Sequence, residues 1–209
     1  MKRLALFFLL FFFSACTPST PSATPEVIPV YSSVAAQPWL SELYDCAGTT
    51  AAISRVDDPS ASAIVLRVGE PETLSSPAYP IDMEEILVVT QRQSPVQNLS
   101  LEGARTLFAG QGDPSVQVWA YDSGEDVQEI FNKLVMQGQN ISPATRLAVN
   151  PQQMSDTLVN EPNTVGILPR HWKAGDSREV LSLGPVPVLA ITPTQPQGMV
   201  KQLIACLQK

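Results

Sequence analysis

Two short turns in this 209-residue chain carry residue types that could hold a small anion. Ser32-Ser33 follows an apolar run, and Asp122-Ser123-Gly124 precedes an amphipathic segment. Hydroxyls and free backbone N–H groups at a helix start present donors, and the helix dipole favours negative charge there. Arg67 closes the apolar run Ala63-Ile64-Val65-Leu66 with a guanidinium able to grip a carboxylate or phosphate through two parallel hydrogen bonds. Each feature has a plainer alternative. Ser123 with Asp126 three residues on forms a capping box, and Arg67 can pair with Glu70 or another acidic neighbour. Ser32, Ser33, Arg67, Ser123 and Gly124 are the candidate ligand-binding residues.

Reaction chemistry has less to build on. His171 is the sole histidine, no Gly-x-Ser-x-Gly elbow offers it a nucleophile, and Arg170-His171-Trp172-Lys173 reads as an exposed loop. Asp57-Asp58 and Glu84-Glu85 stand beside turns or strand ends, where solvation is the expectation. One histidine and three cysteines supply no multi-ligand zinc site, and neither a Gly-rich phosphate loop nor a dinucleotide fingerprint occurs. No metal, no cofactor and no enzymatic activity are expected; a secreted hydrolase would need turnover that depends on His171. A net charge of −7 without any Lys/Arg run speaks against a nucleic-acid partner.

The elements that position these residues alternate. Val27–Tyr31, Ala51–Val56, Ala63–Val68, Ile86–Thr90, Val116–Tyr121, Arg146–Val149, Thr164–Leu168 and Pro187–Ile191 read as strands. Helices are expected at Pro38–Cys46, after Ser100, after Gly124 and after Asn150-Pro151, and finally at Pro196–Leu207. The helix after Gly124 has the clearest spacing, with Val127, Ile130, Phe131 and Leu134 on one stripe. Strands alternating with helices define an α/β fold with a mostly parallel sheet, and nineteen prolines argue against a helical bundle.

The first residues read as an address. Met1-Lys2-Arg3 precedes ten apolar residues, Leu4–Phe13, which is half the roughly 20 that span a bilayer and fits a secretory signal. Phe13-Ser14-Ala15-Cys16 resembles a bacterial lipobox, with Phe13 where leucine is commoner, so residues 1–15 are read as a signal peptide and Cys16 as the lipidated first residue. An ordinary cleaved signal followed by an incidental cysteine is the alternative. The Ser/Thr/Pro segment at 16–25 is an extended tether with nothing to bury. The domain then lies outside the cytoplasm, anchored to the membrane. Cys46 and Cys206 remain as an even pair in an oxidising compartment, which favours a disulfide over two buried thiols.

Leu99-Ser100-Leu101-Glu102 with Leu107-Phe108-Ala109-Gly110, Trp119-Ala120-Tyr121-Asp122-Ser123-Gly124-Glu125 with Phe131, and Thr164-Val165-Gly166-Ile167-Leu168 together resemble segments of the phosphate-type substrate-binding proteins. These are the extracytoplasmic receptors of bacterial ABC importers. The resemblance covers about residues 85–170. It implies a two-lobed type 2 periplasmic-binding fold with two crossing strands: lobe one at 26–86 plus 173–209, lobe two at 87–172, and a hinge near Thr90 and Leu168. It implies a monomeric receptor that closes on a small ligand and hands it to an ABC permease. The sequence departs from the pattern after Ser123-Gly124, where the family's phosphate-binding threonine is replaced by Glu125 and then Asp126. One such charge about 4 Å from a bound anion costs roughly 4 kcal/mol at an effective dielectric of 20. An oxyanion remains a candidate ligand, phosphate is disfavoured, and a neutral or cationic ligand fits better. The alternative is a surface interaction or accessory lipoprotein that keeps the fold without a solute.

Overall fold

The computed structural model describes residues 25–209; the signal peptide, Cys16 and nearly all of the tether lie outside the described residues. In chain order the elements are β1 (Glu26–Ser32), α1 (Pro38–Ala47), β2 (Ala51–Arg55), β3 (Ile64–Val68), β4 (Ala78–Gln91), α2 (Leu101–Phe108), β5 (Gln117–Ala120), α3 (Asp126–Phe131), β6 (Arg146–Leu147), α4 (Pro151–Asn160), β7 (Thr164–Pro169), β8 (Ser177–Ile191) and α5 (Gly198–Leu207). A π-helical turn, Asn132–Met136, extends α3.

Hydrogen bonding orders the strands β2-β1-β3-β8-β4-β7-β5-β6. β1 runs parallel to β2 and β3, and β5 runs parallel to β6 and β7. Between these two parallel sets lie β8 and β4, antiparallel to each other and to their outer neighbours. At 15 and 14 residues they are long enough to serve both sets. The Ala78–Glu85 stretch of β4 pairs with Pro185–Ile191 beside β3, whereas Leu87–Gln91 pairs with Ser177–Ser182 beside β7. Register shifts at Pro80/Asp82, Glu85/Leu87 and Val88/Val89 fall along this ladder, and such bulges bend and twist the strands that carry them. The result is two α/β lobes joined by two crossing strands. The crossings are β4 and β8, whereas the sequence put the second near Leu168; β7 stays in the second lobe, paired along Ile86–Thr90.

Local chemistry explains most of the elements. Pro38 occupies the first turn of α1, where its missing N–H is not needed, and Trp39, Leu40, Leu43 and Ala47 form the buried stripe. Ser100 and Asn150 accept hydrogen bonds from the backbone N–H groups of Gly103 and Gln153, capping α2 and α4. Every residue of β7 is buried, as suits a strand covered on both faces. Gly166 leaves room there for α4: a Cβ would sit 2.5 Å from Met154 Sδ, which would have to shift. Phe108 and Phe131 meet at 4.4 Å between ring centroids in the second-lobe core.

In the first lobe, Cys46 near the end of α1 and Cys206 in α5 form a disulfide with Cα atoms 5.9 Å apart, across 160 positions of sequence. Closing so long a loop restricts the unfolded chain and stabilises the fold by up to about 5 kcal/mol. Replacing both cysteines by serine is therefore expected to lower the melting temperature by about 10–15 °C in a calorimetric scan.

Candidate functional site

The carboxyl ends of β1 and β3 face the start of α3 across the gap between the lobes, the place where open α/β sheets bind ligands. The Ser33 N–H donates to the Leu66 carbonyl at 2.9 Å, which ties the turn after β1 to β3. Ser33 Oγ accepts from the Ala36 N–H at 3.3 Å and donates to Asp126 Oδ2 at 2.5 Å. The Val68 N–H donates to the same Asp126 oxygen at 2.9 Å, and Asp126 Oδ1 takes the Val127 N–H at 2.9 Å. One turn further along α3, Glu129 Oε2 receives Arg67 Nη2 at 2.7 Å. Asp126 and Glu129, three residues apart, thus share the helix face that grips the first lobe. Asp126 is 4% exposed and Val68 is fully buried.

The sequence candidates divide. Ser33 and Arg67 meet the second lobe here, and the Ser32 hydroxyl beside them donates to the Ser33 carbonyl. Arg67 takes Glu129, not Glu70, as its partner, and its Nε is buried without a hydrogen bond. Ser123 and Gly124 are exposed; the Gly124 N–H donates to Asp122 Oδ1, and Ser123 lines a separate groove of about 650 Å³ with Gln128, Asn132 and Asn140. No capping box forms, because Glu125 occupies the cap position without a side-chain bond and Asp126 turns across the gap instead. Asp126 keeps one bond to its own helix start, the Val127 N–H on Oδ1, and gains two donors from the other lobe on Oδ2.

Glu84 also departs from expectation. Glu84 is 1% exposed rather than solvated, and its Oε2 lies 2.9 Å from His171 Nδ1. His171 itself stays exposed, as its sequence context suggests, while its imidazole rests against Trp39 at 4.6 Å between ring centroids. The residues missed by sequence reasoning are therefore Asp126, Glu129 and Glu84. An acidic pair on the polar side of a strongly amphipathic helix, opposite a strand-end arginine, was the available signal for the first two.

Burial is the largest influence on the Asp126 carboxyl and raises it above the usual range, against the hydrogen bonds from Ser33 and Val68 and the field of Arg67. Glu125 is raised as well, by burial and then by Asp126 and Asp122. The Tyr121 phenol is pushed well up by burial and then by Asp126 and Glu125. The electrostatics of this end of the gap are those of crowded acids. A cavity of about 560 Å³ beside it is lined by Glu70, Glu72 and Glu129 against Lys133, with Ile130, Leu134 and Pro187 as apolar walls.

Two α/β lobes, two crossing strands and a gap at the carboxyl ends of the parallel strands define the type 2 periplasmic-binding fold. Among solved structures, a phosphate ABC transporter substrate-binding protein with bound phosphate from Clostridium perfringens superposes with a TM-score of 0.76 at 11% identity, over 87% of this chain and 93% of that one. An ABC-type phosphate transport receptor from Vibrio cholerae gives 0.67 at 16% identity, over 87% and 93%. The CcmR regulatory domain from Synechocystis PCC6803, in complex with 2-PG, gives 0.65 at 8% identity, over 88% and 96%. The fold is thus shared by transport receptors and regulatory domains. No protein-family model matches the chain, and neither does any curated protein.

The raised Asp126 carboxyl fixes the sign of a pH effect. Its protonated form is favoured by folding, so its contribution to stability is full below about pH 4 and is lost as pH rises through the folded-state value. Asp126→Asn removes this term. The stability of the Asn variant relative to the natural chain is expected to rise as pH increases above about 4 in urea unfolding.

Proposed function

We propose that the chain is an extracytoplasmic accessory lipoprotein, held to the bacterial membrane by a lipid on Cys16, that keeps a solute-receptor fold while its cleft takes no free oxyanion. The observation that carries this reading is the Asp126 carboxylate, bound by Ser33 and Val68 where an anionic ligand would receive the same donors. The Arg67 guanidinium at that end is likewise engaged by Glu129. A monomer with lobes near 26–86 plus 173–209 and 87–172 fits the reading, and it acts by presenting a surface.

An importer-receptor reading is favoured by one specific feature, the cavity of about 560 Å³ beside the contact. Its three carboxylates against one lysine suit a neutral or cationic ligand, which would be handed to an ABC permease. The two readings share the exclusion of phosphate.

A thermal-shift screen of the unlipidated mature chain separates them. No stabilisation is expected from phosphate, sulfate or carboxylic acids at 1 mM. A ligand at about 100 times its dissociation constant adds roughly 2.7 kcal/mol, which reads as several degrees. A shift of that size with phosphate would overturn both readings; one with sugars, amines or metal ions would establish the receptor.

A further inference from the structure

We propose that Asp126 is a tethered ligand: an intact oxyanion site lies beneath its carboxylate, and the chain holds itself in the closed form by binding its own side chain. This rests on the reading that the cleft takes no free oxyanion, and it assigns the cause to a single group. A carboxylate has the donor requirements of a small oxyanion, and Asp126 meets them through the Ser33 hydroxyl and the Val68 N–H at 2.5 and 2.9 Å. These donors belong to the first lobe, whereas the carboxylate arrives from the second, so the contact closes the lobes as a free ligand would.

Two further observations indicate that the site is masked and not dismantled. Arg67 Nε is buried at the same strand end with no hydrogen-bond partner, a donor that neither Asp126 nor Glu129 uses. The Ser33 turn is also held independently of Asp126: the Ser33 N–H is bonded to Leu66, the Ala36 N–H to Ser33 Oγ, and Trp172 Nε1 donates to the Ala35 carbonyl at 3.1 Å. The donors are pre-organised by the first lobe and its contacts. Removing the carboxylate would leave them in place.

Tethering explains why a free anion fails. A group attached to the protein competes at an effective concentration in the millimolar range or above, so a carboxylate whose own affinity for these donors is about 10 μM weakens a free anion by a factor of roughly a hundred or more. The charge of Asp126 adds repulsion to that competition, and Glu125 beside it is already crowded by the same field.

The experiment compares the natural mature chain with Asp126→Ser and Asp126→Asn, titrated with inorganic phosphate and with sulfate by calorimetry, each checked for cooperative melting. Small-angle scattering reports lobe closure. The natural chain is expected to be compact with or without 10 mM phosphate and to bind none. Asp126→Ser is expected to be more open, to bind phosphate at least 100-fold more tightly than the limit set by the natural chain, and to contract on binding. Asp126→Asn keeps the shape but drops the charge, and is expected to bind phosphate at least tenfold above that limit. Should the Ser variant not fold, the Asn variant alone decides. If both folded variants remain compact and silent, the proposal is overturned while the oxyanion-free reading stands. Tight phosphate binding by the natural chain would overturn that reading and the proposal together.

Discussion

A carboxylate almost wholly removed from water is destabilising unless its partners replace the hydration it loses. Asp126 recovers it from three donors, two of which come from the opposite lobe. The hydrogen bonds lower the carboxyl and burial raises it, and burial is the larger effect. The donors of the first lobe therefore offset only part of the cost of burying this carboxyl, and without them that cost would be larger. Closure of the two lobes and satisfaction of Asp126 are a single event, and Arg67–Glu129 on the same helix face adds a second bond to it.

The turn after β1 is where the rest of the molecule converges on that event. On one side it receives Asp126 through Ser33; on the other, the Trp172 indole donates to the Ala35 carbonyl. His171 next to Trp172 rests on Trp39, whose own indole N–H reaches Asp82 Oδ2 on the crossing strand at 2.8 Å. Glu84, two residues along the same strand, is buried against His171. The segment after β7 and the start of α3, both leaving the second lobe, thus clamp one short first-lobe turn. Gly69 marks how close the approach is: its φ of +74° excludes most side chains, and a Cβ would fall 2.8 Å from Ile130 Cδ1 of α3.

Much of the fold is legible because its elements are governed locally. Apolar runs such as Ile64–Val68 and Thr164–Pro169 need only their own residues to be read as buried strands, and Pro38, Ser100 and Asn150-Pro151 mark helix starts by chemistry within four positions. The crossing strands are not governed that way. The Ala78–Glu85 half of β4 and the Ser177–Val186 half of β8 carry charges and prolines and alternate poorly, because between the lobes neither face is fully covered. Sequence placed Ser33 and Arg67 at strand ends, as the structure does. It could not show that Asp126, 93 positions from Ser33, turns its Oδ2 to the other lobe. The same holds for Glu84, where solvation was the local reading and packing against His171, 87 positions away, reversed it.

Hydrogen exchange at the Val68 amide is the most direct probe, since this N–H has Asp126 Oδ2 as its partner across the gap. In the natural chain without added anions, the account predicts slow exchange that 10 mM phosphate leaves unchanged. Fast exchange in the anion-free chain, slowed by phosphate, would contradict it, because it would mean that the cleft stands open and that a solute, not Asp126, closes it.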